Sequence, residues 1–391
     1  MIAYDVGVPS GSAERDALAR ILAVSFNAPE DRIQANFEVV GNDALRVIRD
    51  GARVVGGLKL IDMGQWFGGR SVPMQGIAAV GIEPSWRGKG AGGTLMRSVM
   101  AELAAAGVPL STLYPATVPV YRGAGFELAG SRWLIKLPLR GLPTKSDGPA
   151  TRTGGPDDFA AMKAAYDLFA ARHDGMLDRG DYIWQRARYP RGKTALHHVV
   201  GDGDAIEGYT SYTVEETSTG WSELHLTDLI ANTPAACQRL LAFFGAHQSM
   251  NDTLHVATSP RHPMLLGQAD WRPKAKLMLH WMTRVTNVPA ALTARGYPSG
   301  LQTELHLDVT DDVVPANAGP CVLRVSGGRA TVEPGGQGTL RLDVRGLAAL
   351  YTGFQTPSDL SLQGLLAGPD EDMARAGAVF AGPDPWMPSI F

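Results

Sequence analysis

The stretch EPSWRGKGAGGTLM, residues 83–96, packs four glycines and two cations into one short turn before an amphipathic pattern begins. Ahead of it, VPMQGIAAVGIEP (72–84) reads as a buried strand stopped by Pro84. Behind it, Leu95, Met96, Val99, Met100 and Leu103 recur at helical spacing. A strand, then R-x-x-G-x-G (Arg87, Gly90, Gly92), then a helix aims backbone N–H groups from a helix N-terminus, which is a ready phosphate site. Glycine suits it because a side chain would stand between backbone and phosphate oxygens. The Walker pattern fails, since no Lys-Ser or Lys-Thr closes the loop. The Rossmann fingerprint fails too, because Pro84, Ser85, Trp86 and Arg87 separate the strand from the first glycine. A glycine-rich turn that only permits tight strand–helix packing stays open on the loop alone.

Working outward, the first 140 residues read as one mixed α/β unit. Leu18, Ile21, Leu22 and Phe26 form a helical stripe after a possible Ser12 cap. ALRVIRDGARVVGGLKLI (44–61) reads as two strands joined at Asp50-Gly51, and PLSTLYPA (109–116) and RWLIKLPL (132–139) as further strands. Residues 140–158, rich in Pro, Gly, Ser and Thr, suit a linker. A second α/β region follows, with helices expected at 157–172 and 234–249 and strands at 196–200, 207–215 and 223–230. The last hundred residues suggest a small meander followed by helices. AGPDPWMPSIF (381–391) then ends the chain in a form that reads as buried rather than frayed.

Bulk properties narrow the function. A chain of 391 residues predicts two or three domains. With 45% hydrophobic and 19% charged residues it reads as a soluble globular protein, and a net charge of -3 carries no polyanion-binding signature. Nucleic acid is therefore not an expected partner. The first residues lack a basic region followed by an apolar run, and no stretch approaches the roughly 20 apolar residues of a spanning helix. A reducing cytosol is expected, with Cys237 and Cys321 as two separate thiols.

The order of the parts carries more than the loop. Strand, R-x-x-G-x-G, amphipathic helix, strand and then VYRGAGFE (120–127) resembles the GNAT superfamily of acetyl-CoA-dependent N-acetyltransferases. That resemblance implies acetyl-CoA as co-substrate. Val80, Gly81 and Ile82 would line the pantetheine arm, and Arg87, Gly88, Lys89, Gly90, Ala91 and Gly92 would wrap the pyrophosphate. Tyr121, ahead of the G-F pair, would protonate the leaving thiolate. The full chain is similar to the Eis (enhanced intracellular survival) family. This implies an α/β fold of mixed sheets: a catalytic GNAT domain (1–145), a GNAT-like domain without a pyrophosphate loop (146–286) and a sterol-carrier-protein-like α+β domain (287–391). It also implies that the terminal carboxylate reaches into the first domain's active site, that amines such as aminoglycosides are acceptors, and that the chain forms hexamers.

The residues test these implications. At the matching junction of the middle region stands DLIANTPAACQRLL (228–241), without glycine, and Pro234 removes an N–H donor. One cofactor site per chain is expected. Attack on a thioester needs a base, an oxyanion stabiliser and an acid. Histidine is the default base, yet none of the nine precedes His173. Glu83 is one candidate, although it lies beside the loop rather than in mid-strand; the carboxylate of Phe391, which the resemblance brings to the active site, is the better one, since burial among Trp386, Ile390 and Phe391 would raise its pKa. A tail that merely locks domains together is the alternative. Tyr121 suits proton donation if the site is dry; otherwise it is a packed phenol.

For the acceptor, the loop SFNAPEDRIQANF (25–37) offers Phe26 and Phe37 as an aromatic wall and Glu30 or Asp31 for a cationic amine. A core phenylalanine and a solvated acidic turn read equally well. Ala28 and Ile390 stand where the aminoglycoside-acetylating relatives carry acidic groups, which points to a smaller, more apolar amine. No metal is expected: His255, His262 and Asp270 lack tight ligand spacing, His197 and His198 read as strand and surface, and no G-x-S-x-G occurs. A second reading is a binding module, whose sterol-carrier-like domain captures an apolar ligand while the GNAT fold is vestigial.

Overall fold

The structure, a computed structural model, describes residues 3–201, 205–218, 220–267 and 273–391. It divides into two compact units. The first holds Met1–Ala129, His280–Asp384 and Phe391; the second holds Gly130–Leu279 and Pro385–Ile390.

In the first unit, β1 (Tyr4–Gly7), helices α1 (Ser12–Phe26) and α2 (Glu30–Val40), and strands β2 (Leu45–Asp50), β3 (Arg53–Phe67) and β4 (Arg70–Ile82) come before helix α3 (Ala91–Ala105). Strand β5 (Leu110–Leu113), the short helix α4 (Val118–Arg122) and β6 (Glu127–Pro138) follow. Ser12 is the first helical residue of α1 rather than its cap; Gly11 stands at the cap with no side-chain bond. The sheet runs β1-β2-β3-β4-β5, and the end of the 274–285 strand pairs with β5. Neighbours are antiparallel except β4 and β5, which α3 connects as a parallel crossover.

The stripe on α3 packs as its spacing predicts. Leu95, Met96, Val99, Met100 and Leu103 bury against Ile48, Val55, Leu58, Ile77 and Leu113. Each such side chain contributes up to about 1.5–3 kcal/mol. A separate cluster gathers Leu18 and Leu22 of α1 with Phe37, Leu45 and Val47.

Strand β4 departs from regular pairing where the loop begins. Gly57 faces Gly81 whereas Lys59 faces Ala78, so β4 carries one extra residue, and Ala79 adopts φ +53°. This is a β-bulge. Pairing with β5 covers only Met74–Ile77 against Leu110–Leu113. Residues 78–82 of β4 run on beyond it with no β5 partner.

In the last hundred residues, 303–310, 319–326 and 329–334 form the expected antiparallel meander, and the strand after them departs from it. The sheet order is 329–334, 319–326, 303–310, 340–343, 366–367, and Leu340–Asp343 lies parallel to Leu307–Thr310. The strand returns to the open edge of 303–310, since 319–326 occupies the other edge. Helices 344–352, 357–362 and 370–379 follow.

Glu127, fully buried at the head of β6, accepts from Arg122 Nε (3.0 Å) and from Arg345 Nη2 (2.6 Å). Burial pushes its carboxyl up, but the two guanidinium groups outweigh this and hold it below the ordinary range. A carboxyl depressed in the folded state stabilises above its ordinary pKa, about 4.3, and the contribution is lost as pH falls below that. Urea titrations of wild type and Glu127→Gln should therefore diverge at neutral pH and converge as the pH drops through 4; a constant gap would contradict this.

The second unit repeats the crossover. Strands run in the order 134–138 of β6, 251–257, 222–231, 208–216, 196–200 and 151–153. The 222–231 and 251–257 strands are the parallel pair, linked by helix 234–245. At this junction Pro234 opens the helix, and Thr233 Oγ1 accepts the Ala236 N–H at 3.1 Å. The end of the expected linker, Thr151–Thr153, is an edge strand. Arg179 and Asp228 form a buried ion pair at 2.6 Å.

The tail residues of this unit are tied by backbone bonds. Trp386 N–H donates to the Asp174 carbonyl (3.0 Å), Met387 N–H to Ser131 (3.1 Å), and Arg132 and Arg186 to the carbonyls of Pro388 (3.0 Å) and Ile390 (3.1 Å). Trp386 and Met387 are buried, whereas Ile390 is 42% exposed. The expected apolar setting around the last residues is thus corrected at Ile390. Polar anchors on the backbone fix that residue and leave its side chain outward.

Candidate active site

The loop after β4 is held from both ends. Arg87 Nε donates to the Ile82 carbonyl at 3.2 Å, and the Tyr4 hydroxyl to the Lys89 carbonyl at 3.2 Å. The Lys89 ammonium lies 4.7 Å over the Trp86 ring, whose edge meets Tyr4. Gly88 and Gly90 take φ +75° and +84°, a region glycine enters without strain, and a Cβ on either would point into open space. Thr94 N–H reaches back to the Gly90 carbonyl at 3.0 Å, while the amides before it have no carbonyl one turn behind. The residues present therefore fit a diphosphate, and the unpaired edge at 78–82 fits an extended amide-bearing chain laid along it.

Two further groups stand at this end of the sheet. Tyr121, on α4, is 5% exposed and meets Phe126 edge-on at 6.2 Å. It shares one apolar cluster with Ala91 of α3, against which Val80 and Ile82 also pack. Burial raises its phenol pKa, so the group stays protonated at neutral pH. The half-buried ring of Phe391 lies 5.8 Å from that of Tyr114, the first residue past β5. A Cβ on Gly76 would come within 2.9 Å of the same ring. Gly76 pairs with Thr112, one step before the last β4–β5 pair.

The other candidates separate. Phe37 is fully buried beside Leu18 and Leu22, so it is core and not a pocket wall. Phe26 is 50% exposed at the end of α1. Glu30 and Asp31 begin α2 rather than lying in a loop, a place where the helix dipole favours acidic groups. Glu83 is engaged by Arg53 at 2.6 Å and by Ser85 Oγ at 3.0 Å. His262 is buried and accepts the Met264 N–H; burial pushes its pKa down to about 3. Asp270 lies outside the described residues. Cys237 and Cys321 are free.

The sequence matches the acetyltransferase (GNAT) domain over residues 9–129 and again over 175–285, and the sterol carrier protein domain over 288–388. A GCN5-related N-acetyltransferase from Anabaena variabilis is 35% identical, covers 100% of both chains and superposes with a TM-score of 0.94. The chain belongs to the GCN5-related N-acetyltransferases. A second member of this family, from Kribbella flavida, is 30% identical with a TM-score of 0.87, over 100% of this chain and 98% of that one. N-acetyltransferase Eis of Mycobacterium tuberculosis (strain CDC 1551 / Oshkosh) is 27% identical over 380 residues, 89% of each chain. Two GNAT domains followed by a sterol carrier domain make this an Eis-like N-acetyltransferase.

In this N-acetyltransferase, sequence reasoning missed the bulge at Ala79, the contact surface of Gly76 and the ring of Tyr114. A lone glycine within a strand pattern signals close backbone approach, so Gly76 was open to detection. Sequence reading also missed a group in the second GNAT domain, where Glu223, His225 and His255 converge. Among the described residues no helix is long and apolar enough to cross a membrane.

Proposed function

We propose that the first domain transfers the acetyl group of acetyl-CoA to a primary amine of aminoglycoside, polyamine or lysine type. Acetyl-CoA, when bound, supplies an activated acyl thioester. Loop amides from Gly88 to Gly92, with Arg87 and Lys89, hold the pyrophosphate, and Val80, Gly81 and Ile82 line the pantetheine arm. Tyr121 is the general acid: its hydroxyl gives a proton to the departing sulfur as the C–S bond breaks. The carboxylate of Phe391 takes the proton of the attacking amine, directly or through water. Phe26, Glu30 and Asp31 contribute to acceptor binding. The middle domain, with Pro234 and the Thr233 cap at its matching junction, carries no cofactor. A hexamer completes the proposal and is tested by light scattering.

The single observation that carries this reading is the parting of β4 from β5 after Ile77, next to the bulge at Ala79 and flanked by the left-handed glycine loop and by a buried, protonated Tyr121. Thiol release from acetyl-CoA, followed with a panel of primary amines, tests it. Amine-dependent release is expected; silence with every amine, alongside tight binding of an apolar ligand, would favour the binding-module reading.

The loop gives a smaller prediction. Valine at position 90 would need φ near +84°, at a cost of order 1–3 kcal/mol that the loop relieves by moving its amides. Gly90→Val should raise the Kd for acetyl-CoA about tenfold or more, measured by calorimetry. Unaltered affinity would remove the loop from cofactor binding.

A further inference from the structure

The parallel strands 222–231 and 251–257 of the second unit bring together side chains that are thirty residues apart in sequence. His225 pairs in register with His255, and Glu223 lies two residues earlier on the same face as His225. The imidazoles stack with centroids 4.4 Å apart and planes 11° from parallel. Both Nε2 atoms turn to one carboxylate oxygen: Glu223 Oε2 is 3.2 Å from His255 and 3.4 Å from His225. His255 is 6% exposed, so this approach to Glu223 takes place largely out of solvent.

Ligands on a tetrahedral ion at about 2.0–2.1 Å stand about 3.3–3.4 Å apart. The two N–O separations already match that edge, and all three ligand atoms lie within 4.8 Å of one another. Closing the remaining N–N edge needs rotation of His225, which is 35% exposed and has room to turn.

We propose that Glu223, His225 and His255 form a binding site for one divalent transition ion of the zinc class, with its fourth position left to water or an outside ligand. Two imidazoles and one carboxylate suit Zn²⁺ or Co²⁺ and disfavour Mg²⁺ and Ca²⁺, which prefer oxygen ligands. Lys136, paired with His255 across β6, opposes the cation. Glu215, paired with Glu223, favours it, although Lys193 holds Glu215 at 2.6 Å. These flanking charges offset one another, so affinity rests on the three ligands. The site lies outside the catalytic domain, and the ion holds two strands of the second GNAT domain rather than taking part in acetyl transfer.

Calorimetric titration of the tag-free, full-length chain with Zn²⁺ tests this, alongside Co²⁺ absorption spectra. Wild type should bind about one equivalent more than either His225→Asn or Glu223→Gln, and Co²⁺ should give intense tetrahedral bands only in wild type. Its thermal midpoint should rise with Zn²⁺ concentration and not with Mg²⁺. Lys136→Gln should tighten binding a few-fold. Because His225 and Glu223 are half-exposed, both variants should keep the wild-type circular dichroism and acetyl-CoA affinity. Equal Zn²⁺ stoichiometry in wild type and both variants, or octahedral Co²⁺ spectra, would overturn the proposal.

Discussion

Tyr121→Phe should lower kcat by about 10² to 10⁴ while the affinity for acetyl-CoA stays within about twofold of wild type. That loss corresponds to about 2.7–5.5 kcal/mol of transition-state stabilisation. Removing one oxygen deletes the proton donor without disturbing the ring, which packs edge-on to Phe126 at 6.2 Å. Core packing should therefore survive, and the thermal midpoint should barely move. The pH profile carries a second readout. Burial raises the Tyr121 phenol, so the alkaline limb set by its deprotonation lies above the ordinary tyrosine value, and wild-type kcat should not decline from this group at or below about pH 10. Steady-state kinetics at saturating amine, with calorimetry for the cofactor, separates the two effects. A variant with wild-type kcat would reduce Tyr121 to a packed phenol.

The second large effect concerns the end of the chain. Adding a few residues after Phe391 should abolish acetyl transfer while leaving the fold and the thermal midpoint intact. The extension turns the α-carboxylate into a peptide carbonyl, which has no charge and negligible basicity. The anchors that precede it remain: Arg132 on Pro388, Arg186 on Ile390, and the backbone bonds of Trp386 and Met387. The extended chain thus tests the base without testing the tail's attachment. Cleaving the extension back to the native Phe391 should restore activity. Full turnover in the extended form would rule the carboxylate out and leave the tail as a domain lock. Phe391→Ala, which keeps the carboxylate but loses the ring against Gly76 and Tyr114, should cost less than the extension.

Local signals in the sequence reached far into the fold. The α3 stripe, the turn after Asp50 and the strand ending at Pro84 all stand where periodicity and turn chemistry put them, because each is decided by neighbours a few residues away. Long-range pairing was less legible. The parallel return of Leu340–Asp343 beside 303–310 depends on which sheet edge is free, and no local pattern records that. The bulge at Ala79 is set by pairing to β3, and its left-handed residue is an alanine, which does not mark it in the sequence. Phe37 looked like a pocket wall because an aromatic after an acidic turn reads alike whether it faces a cleft or a core. The Glu223, His225 and His255 group escaped notice for the same reason. Ligand spacing along one element is visible in sequence, whereas ligands on two parallel strands meet only through register. Pro234 shows the reverse case, since a missing N–H donor is a local property and was readable directly.

The most direct test of the account is a structure of the chain with CoA bound. It should show the pyrophosphate on the amides of residues 88–92, the pantetheine along 78–82 of β4, and the sulfur within about 3–3.5 Å of the Tyr121 hydroxyl. CoA bound at the Pro234 junction of the second unit, or a sulfur out of reach of Tyr121, would contradict it.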